Sequence, residues 1–163
     1  MATLRVMMFD ADAQRAAVIG DTLRRQGCEV VVAESCADIC RRVVAAAPDV
    51  VVIDVDSPDG ETLEHLGMLA VQFPRPVVMF THDGGVERIR SAIRAGVSAY
   101  VVDGLTADRI RPVIEVAIAR FELHRDAVST GSGEQARDDG VPASSGRLDP
   151  AEERAEPLLP WLR

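Results

Sequence analysis

The sequence predicts an open, doubly wound α/β fold, with five parallel strands in the order 2-1-3-4-5 and helices on both faces of the sheet. Two observations carry this expectation. Short runs rich in Val and Ile alternate five times with helical stripes, and short links join them, as a sheet built from crossover connections requires. The run Val50-Val51-Val52-Ile53 is apolar without a break, bounded by Pro48-Asp49 and Ser57-Pro58, which suits a central strand buried on both faces. Right-handed crossovers then put the switch in strand order between strands one and three, where ligands and chemistry collect at the carboxyl ends.

Leu4-Arg5-Val6-Met7-Met8-Phe9 reads as the first strand and empties into Asp10-Ala11-Asp12. Ala16, Ile19 and Leu23 follow at helical spacing, and Gly27 stops that helix. Cys28 to Ala33 forms the second strand. Ser35 is placed to cap the second helix, whose inner face is Cys36, Ile39, Cys40, Val43 and Ala47. After the Asp54 strand, Leu66, Leu69, Ala70 and Phe73 mark the inner face of a third helix, with His65 on its outer side. Val77 to Thr81 is the fourth strand; Val86, Ile89 and Ile93 give the fourth helix, ended by Gly96. Ser98 to Val102 is the fifth strand. Ile110, Val113, Ile114, Ala117 and Phe121 stripe the fifth helix, where Pro112 marks either a kink or the first turn. This is a flavodoxin-like arrangement, occupying residues 1–124.

From residue 125 onward the composition changes to Gly, Ser, Ala and Pro with five Arg and eight acids, which cannot bury enough surface to offset its ordering entropy. Residues 125–163 are therefore expected to form a disordered tail. The 163-residue chain carries a formal charge of −8 and contains no Lys, so unaided nucleic-acid binding is disfavoured. No apolar run is long enough for a membrane span or a signal peptide, and a cytoplasmic protein is expected. The odd number of cysteines, Cys28, Cys36 and Cys40, has no paired CxxC spacing and argues for reduced, core-packed thiols.

Asp10, Asp12 and Asp54 converge at the switch point, and Thr81 is the next neighbour on the rim. Such carboxylates can hold Mg²⁺, with Asp54 as a nucleophile toward phosphoryl groups and the Thr81 hydroxyl beside it. A dinucleotide site is excluded, because the first turn has no glycines and two acids that repel a pyrophosphate. A metal-dependent hydrolase needs a general base near Asp54, for which His82 is the one histidine in reach; His124 begins the tail.

PDVVVIDVDSPDGETLEHL together with AIRAGVSAYVVDGL resembles the receiver domains of bacterial response regulators, especially those of ANTAR-type antiterminators of the nitrate-assimilation (NasT) and amidase (AmiR) kind. The resemblance implies that Asp54 is the phosphoacceptor, Asp10 the first acid of the Mg²⁺ site and Asp56 the position that offers it a backbone carbonyl; Asp12, displaced by one from the usual second acid, is counted with Asp10, Asp54 and Asp56 as a metal-site residue. The resemblance also implies that Thr81 and Tyr100 are the switch pair and that the protein is a signalling module rather than an enzyme. Two positions depart from the pattern: Ala11 stands where a second adjacent acid is usual, and Asp103 where a Lys pairs with the phosphoryl group. A carboxylate there repels a phosphoryl dianion. The subgroup implies a sensor protein or a histidine kinase as partner, possible homodimerisation through helix five, and a signalling face around Arg88, Arg94, Tyr100 and Arg109. Residues 125–163 resemble no ANTAR-type RNA-binding bundle, so no direct RNA contact is expected from them.

Overall fold

The computed structural model describes residues 2–131. Its strands are β1 (Arg5–Asp10), β2 (Glu29–Ala33), β3 (Val50–Asp54), β4 (Val77–Thr81) and β5 (Ala99–Val102), all parallel and in the order β2-β1-β3-β4-β5. The helices are α1 (Ala13–Arg25), α2 (Ile39–Ala46), α3 (Gly60–Gln72), α4 (Val86–Arg94) and α5 (Ile110–Gly131). The expected topology is present.

Period-two alternation divides the core between the two faces of the sheet. Val6, Met8, Val50 and Val52 meet Ala16, Ile19 and Leu23 of α1 and Ile110, Ile114 and Ala117 of α5. Met7, Phe9, Val51 and Ile53 meet Ile39 and Val43 of α2, Leu66 and Leu69 of α3, and Ala92 of α4. Each of these large side chains contributes roughly 1.5–3 kcal/mol by leaving water, and β3 has no solvent face at all. The apolar run therefore reads as it should.

Several local expectations are corrected. Ser35 Oγ accepts from Ala37 N–H in a turn, and α2 starts only after Asp38 in the left-handed region, so Ser35 does not cap the helix. Cys36 precedes α2 and Ala47 is an exposed C-cap residue, although Cys36 and Cys40 do pack on the core. Ala70 and Phe73 lie exposed at the end of α3, and Val86 is exposed at the start of α4, where Ala92 alone is fully covered. Pro112 sits in the first turn of α5, where its missing N–H has no intrahelical partner to lose.

α5 continues to Gly131, past the expected boundary at 124, because no Gly or Pro interrupts residues 125–130. The rest of the expected tail, 132–163, lies outside the described residues. Among the described residues no helix is long and apolar enough to cross a membrane.

Candidate functional site

Asp54 ends β3 and pairs in register with Asp10 at the end of β1, so two carboxylates face one another at the switch point. Both are buried, Asp10 at 1% and Asp54 at 5% exposure. The cation between them is Arg15, from the first turn of α1. Its Nε donates to Asp10 Oδ2 at 2.9 Å and its Nη2 to Asp10 Oδ1 at 2.7 Å, a two-point grip of the kind a guanidinium makes on a carboxylate. Nε also stands 3.2 Å from Asp54 Oδ2. Because that N–H is spent on Asp10, Asp54 Oδ2 is buried with a charge beside it but accepts no hydrogen bond.

The Asp10 hydrogen bond holds Arg15 firmly protonated. Burial pushes the Asp54 carboxyl above the usual carboxylate range; Arg15 opposes this and Asp10 adds to it. Arg15 was not singled out from the sequence. The signal was present: a cation in the first turn of a helix opposes the helix dipole and calls for an acidic partner nearby.

The other predicted residues are placed as follows. Asp12 is the N-cap of α1, its Oδ1 accepting from the N–H groups of Gln14 and Arg15 at 3.0 Å each. These hydrogen bonds, that from Arg15 first, hold its carboxyl below the ordinary range. The Asp56 carbonyl accepts from Thr81 Oγ1 at 2.7 Å and from His82 N–H at 3.2 Å. Thr81 is fully buried and in turn accepts from Asp83 N–H at 3.1 Å, while Tyr100 Oη donates to the Asp83 carbonyl at 2.6 Å. Thr81 and Tyr100 are thus joined through one residue.

Asp83 itself was missed. Its carboxylate accepts from Ser57 Oγ at 2.6 Å and Gly85 N–H at 2.9 Å, which ties the loop after β3 to the loop after β4 and lowers its pKa. The Gly84-Gly85 pair that follows marks the stretch as a turn but does not reveal what the Asp83 carboxylate ties together. Asp103 follows β5 and is exposed, with φ at 77°, a left-handed conformation that Asp tolerates better than most residues.

A cleft of about 240 Å³ opens beside Asp54, lined among others by Glu34, Cys36, Thr62 and His65. His65 therefore lines this cleft and is not on the outer side of α3; its charge acts on Asp59. Burial, followed by the charge of Asp59, pushes the Cys36 thiol up to about 11, consistent with an unreactive packed cysteine.

The Response regulator receiver domain model matches residues 6–115. The chain belongs to that family. It is 26% identical over 118 residues to the transcriptional regulatory protein PdtaR of Mycobacterium tuberculosis, covering 72% of this chain and 58% of PdtaR. It is 32% identical over 129 residues to the DNA-binding transcriptional activator DevR/DosR of the same species, covering 77% of this chain and 53% of the relative. The chain thus spans about half the length of these relatives. A CheY-like receiver from Methanospirillum hungatei JF-1 superposes with a TM-score of 0.66 at 19% identity, over 76% of this chain and 99% of that one, which shows the shared fold. Receivers are modules of two-component signalling.

Receivers generally bind Mg²⁺ at the phosphorylation site, and the oxygens present here do not fit it as they stand. Asp10 and Asp54 share Arg15, Asp12 is turned to its own helix, Ala11 has no donor, and the Asp56 carbonyl already takes two hydrogen bonds. Among the described residues no three acidic, His or Cys side chains are grouped to hold a metal ion. In this structure Asp10 and Asp54 converge on Arg15, while Asp12 caps α1 and the Asp56 carbonyl accepts from Thr81 and His82.

Proposed function

We propose that this receiver signals by protein contact rather than through a Mg²⁺-dependent aspartyl phosphate, as a cytoplasmic module of the ANTAR antiterminator type. The observation that carries the reading is the missing anion clamp. The chain has no Lys, and the position that would supply one is Asp103, an exposed acid just after β5. A phosphoryl dianion on Asp54 would meet the carboxylates of Asp10 and Asp56, with Arg15 the guanidinium beside it. Contact with a sensor protein needs none of that machinery. The face formed by α4, β5 and α5 offers exposed Arg94 and Arg109 beside half-buried Tyr100, the side-chain types that interfaces favour. Arg88 is partly committed, donating to the Pro58 carbonyl at 3.2 Å. The ANTAR subtype rests on the two sequence motifs.

A second reading keeps Asp54 as a phosphoacceptor served by a histidine kinase. What favours it is Asp54 Oδ2, a buried carboxylate oxygen that no hydrogen bond occupies. Intact-mass measurement after incubation with acetyl phosphate and Mg²⁺, beside an Asp54→Ala control, separates the two. No added phosphoryl group on folded protein is the expected result; a gain that disappears in the control would establish phosphotransfer and end the contact-only reading.

A further inference from the structure

The two buried carboxylates at the switch point must be neutralised by something. Asp10 and Asp54 occupy register-paired positions on adjacent strands, each more than nine-tenths buried, and like charges so placed repel strongly away from water. A divalent cation is one solution. This chain supplies another, because Arg15 reaches back from the first turn of α1 and lies 2.7 and 2.9 Å from Asp10 oxygens and 3.2 Å from Asp54. Mg²⁺ needs oxygen ligands at roughly 2.0–2.1 Å in octahedral array, and it cannot share that gap with a guanidinium. The neighbouring donors are withdrawn in step: Ala11 has none, Asp12 caps α1, and the Asp56 carbonyl takes the Thr81 hydroxyl and the His82 N–H.

We infer that the Arg15 guanidinium is a built-in counter-ion standing in the place of the receiver's divalent cation, and that its departure would open that place to a metal. The pocket is thereby held in one electrostatic state whatever the Mg²⁺ concentration. The inference rests on reading the pocket as a receiver's, and it adds to the proposed contact mechanism the residue that fixes the pocket.

The test uses Mn²⁺, a hard octahedral cation whose paramagnetism broadens nearby amide resonances, titrated into the full chain. In the wild type, amides of residues 10–12 and 54–56 are expected to stay sharp, and the Arg15 Nε–H signal to persist unmoved. In Arg15→Ala the same amides should broaden, with affinity raised at least about tenfold, a change equivalent to ~1.4 kcal/mol. Arg15→Gln keeps the side-chain length without the charge, and should behave likewise if the alanine variant folds poorly. Wild-type broadening as strong as in the variants would overturn the inference. So would folded variants that gain no Mn²⁺ affinity, since the acids would then form no metal place to fill. Phosphorylation is read separately by mass: its appearance with a metal chelator present would sink the contact reading and leave the counter-ion standing.

Discussion

Arg15 Nε stands 3.2 Å from Asp54 Oδ2 while giving its hydrogen to Asp10 at 2.9 Å, so Asp54 is charge-paired without being hydrogen-bonded. The pair is asymmetric, and Asp54 retains an uncompensated cost of burial. Its pKa is raised chiefly by that burial.

Asp54→Asn is therefore expected to stabilise the fold near pH 7. A carboxyl whose folded pKa lies above its unfolded value of about 3.9 penalises folding once the pH exceeds that unfolded value, and fully above the folded one. The gain in the urea midpoint should be largest at neutral pH and vanish below about pH 4, where wild-type Asp54 is protonated in both states. An equal gain at both pH values would place its cause elsewhere.

Asp12 is expected to act as a cap and not as a ligand. Asp12→Ala should lower the urea midpoint, whereas Asp12→Asn, an equally good cap, should leave it almost unchanged. The depressed pKa of Asp12 gives the sign of the pH effect: its stabilisation is present above the ordinary carboxylate value and is lost as pH falls through the folded one. The Asp/Ala difference should shrink in acid accordingly.

Gly96→Ala should be among the costlier single-methyl additions. Its φ of +99° is in the region that favours glycine, and an added Cβ would sit 2.7 Å from Ala70 Cβ, forcing α3 and the end of α4 apart. A loss of about 1–2 kcal/mol is expected from the backbone alone, read as a drop in urea midpoint. Gly104, whose added Cβ would meet the His82 ring at 3.1 Å, leaves a side chain that can move aside and should be the milder site on steric grounds.

Strand order and core were legible because a strand buried on both faces has nowhere to put a polar residue, so Val50–Ile53 and Val77–Phe80 appear as unbroken apolar runs. α4 was harder: it buries only Ala92 fully, and its larger apolar residues, Val86 included, lean outward or lie half-covered. Helical spacing states which residues share a face but not how deeply it sinks. Asp10 and Asp54 were found because strand ends meet at a switch point. Arg15 was not, because its contact runs from a helix back across a turn and depends on side-chain reach, not on period. The end of α5 was hidden for a similar reason, since the helix outlasts the core contacts that its apolar stripe reports.

Tyr100→Phe should remove the 2.6 Å hydrogen bond to the Asp83 carbonyl and leave a part-buried acceptor without that donor. A cost of about 1 kcal/mol is expected. Amides of residues 83–85 should exchange faster with solvent, because that loop loses its link to β5. Unchanged exchange would show that Thr81, Ser57 and Gly85 hold Asp83 without Tyr100.

The two halves of α5 should respond differently to truncation. Ile114 is fully buried against the sheet, and Ile114→Ala should cost roughly 2–5 kcal/mol by removing methyl groups from a packed site. Leu123 is 71% exposed on the part of the helix that runs past the core, so Leu123→Ala should change the stability of the monomer by less than about 0.5 kcal/mol. Measuring both at two protein concentrations gives this contrast a second use. In the α5 stripe Ala117 is fully covered by the sheet and Val113 packs on the same cluster, whereas Leu123 is among the apolar residues of α5 left open to a second copy. A Leu123→Ala penalty that grows with protein concentration would reveal a dimer built on that overhang, whereas a small and constant one would mean that the helix projects from a monomer.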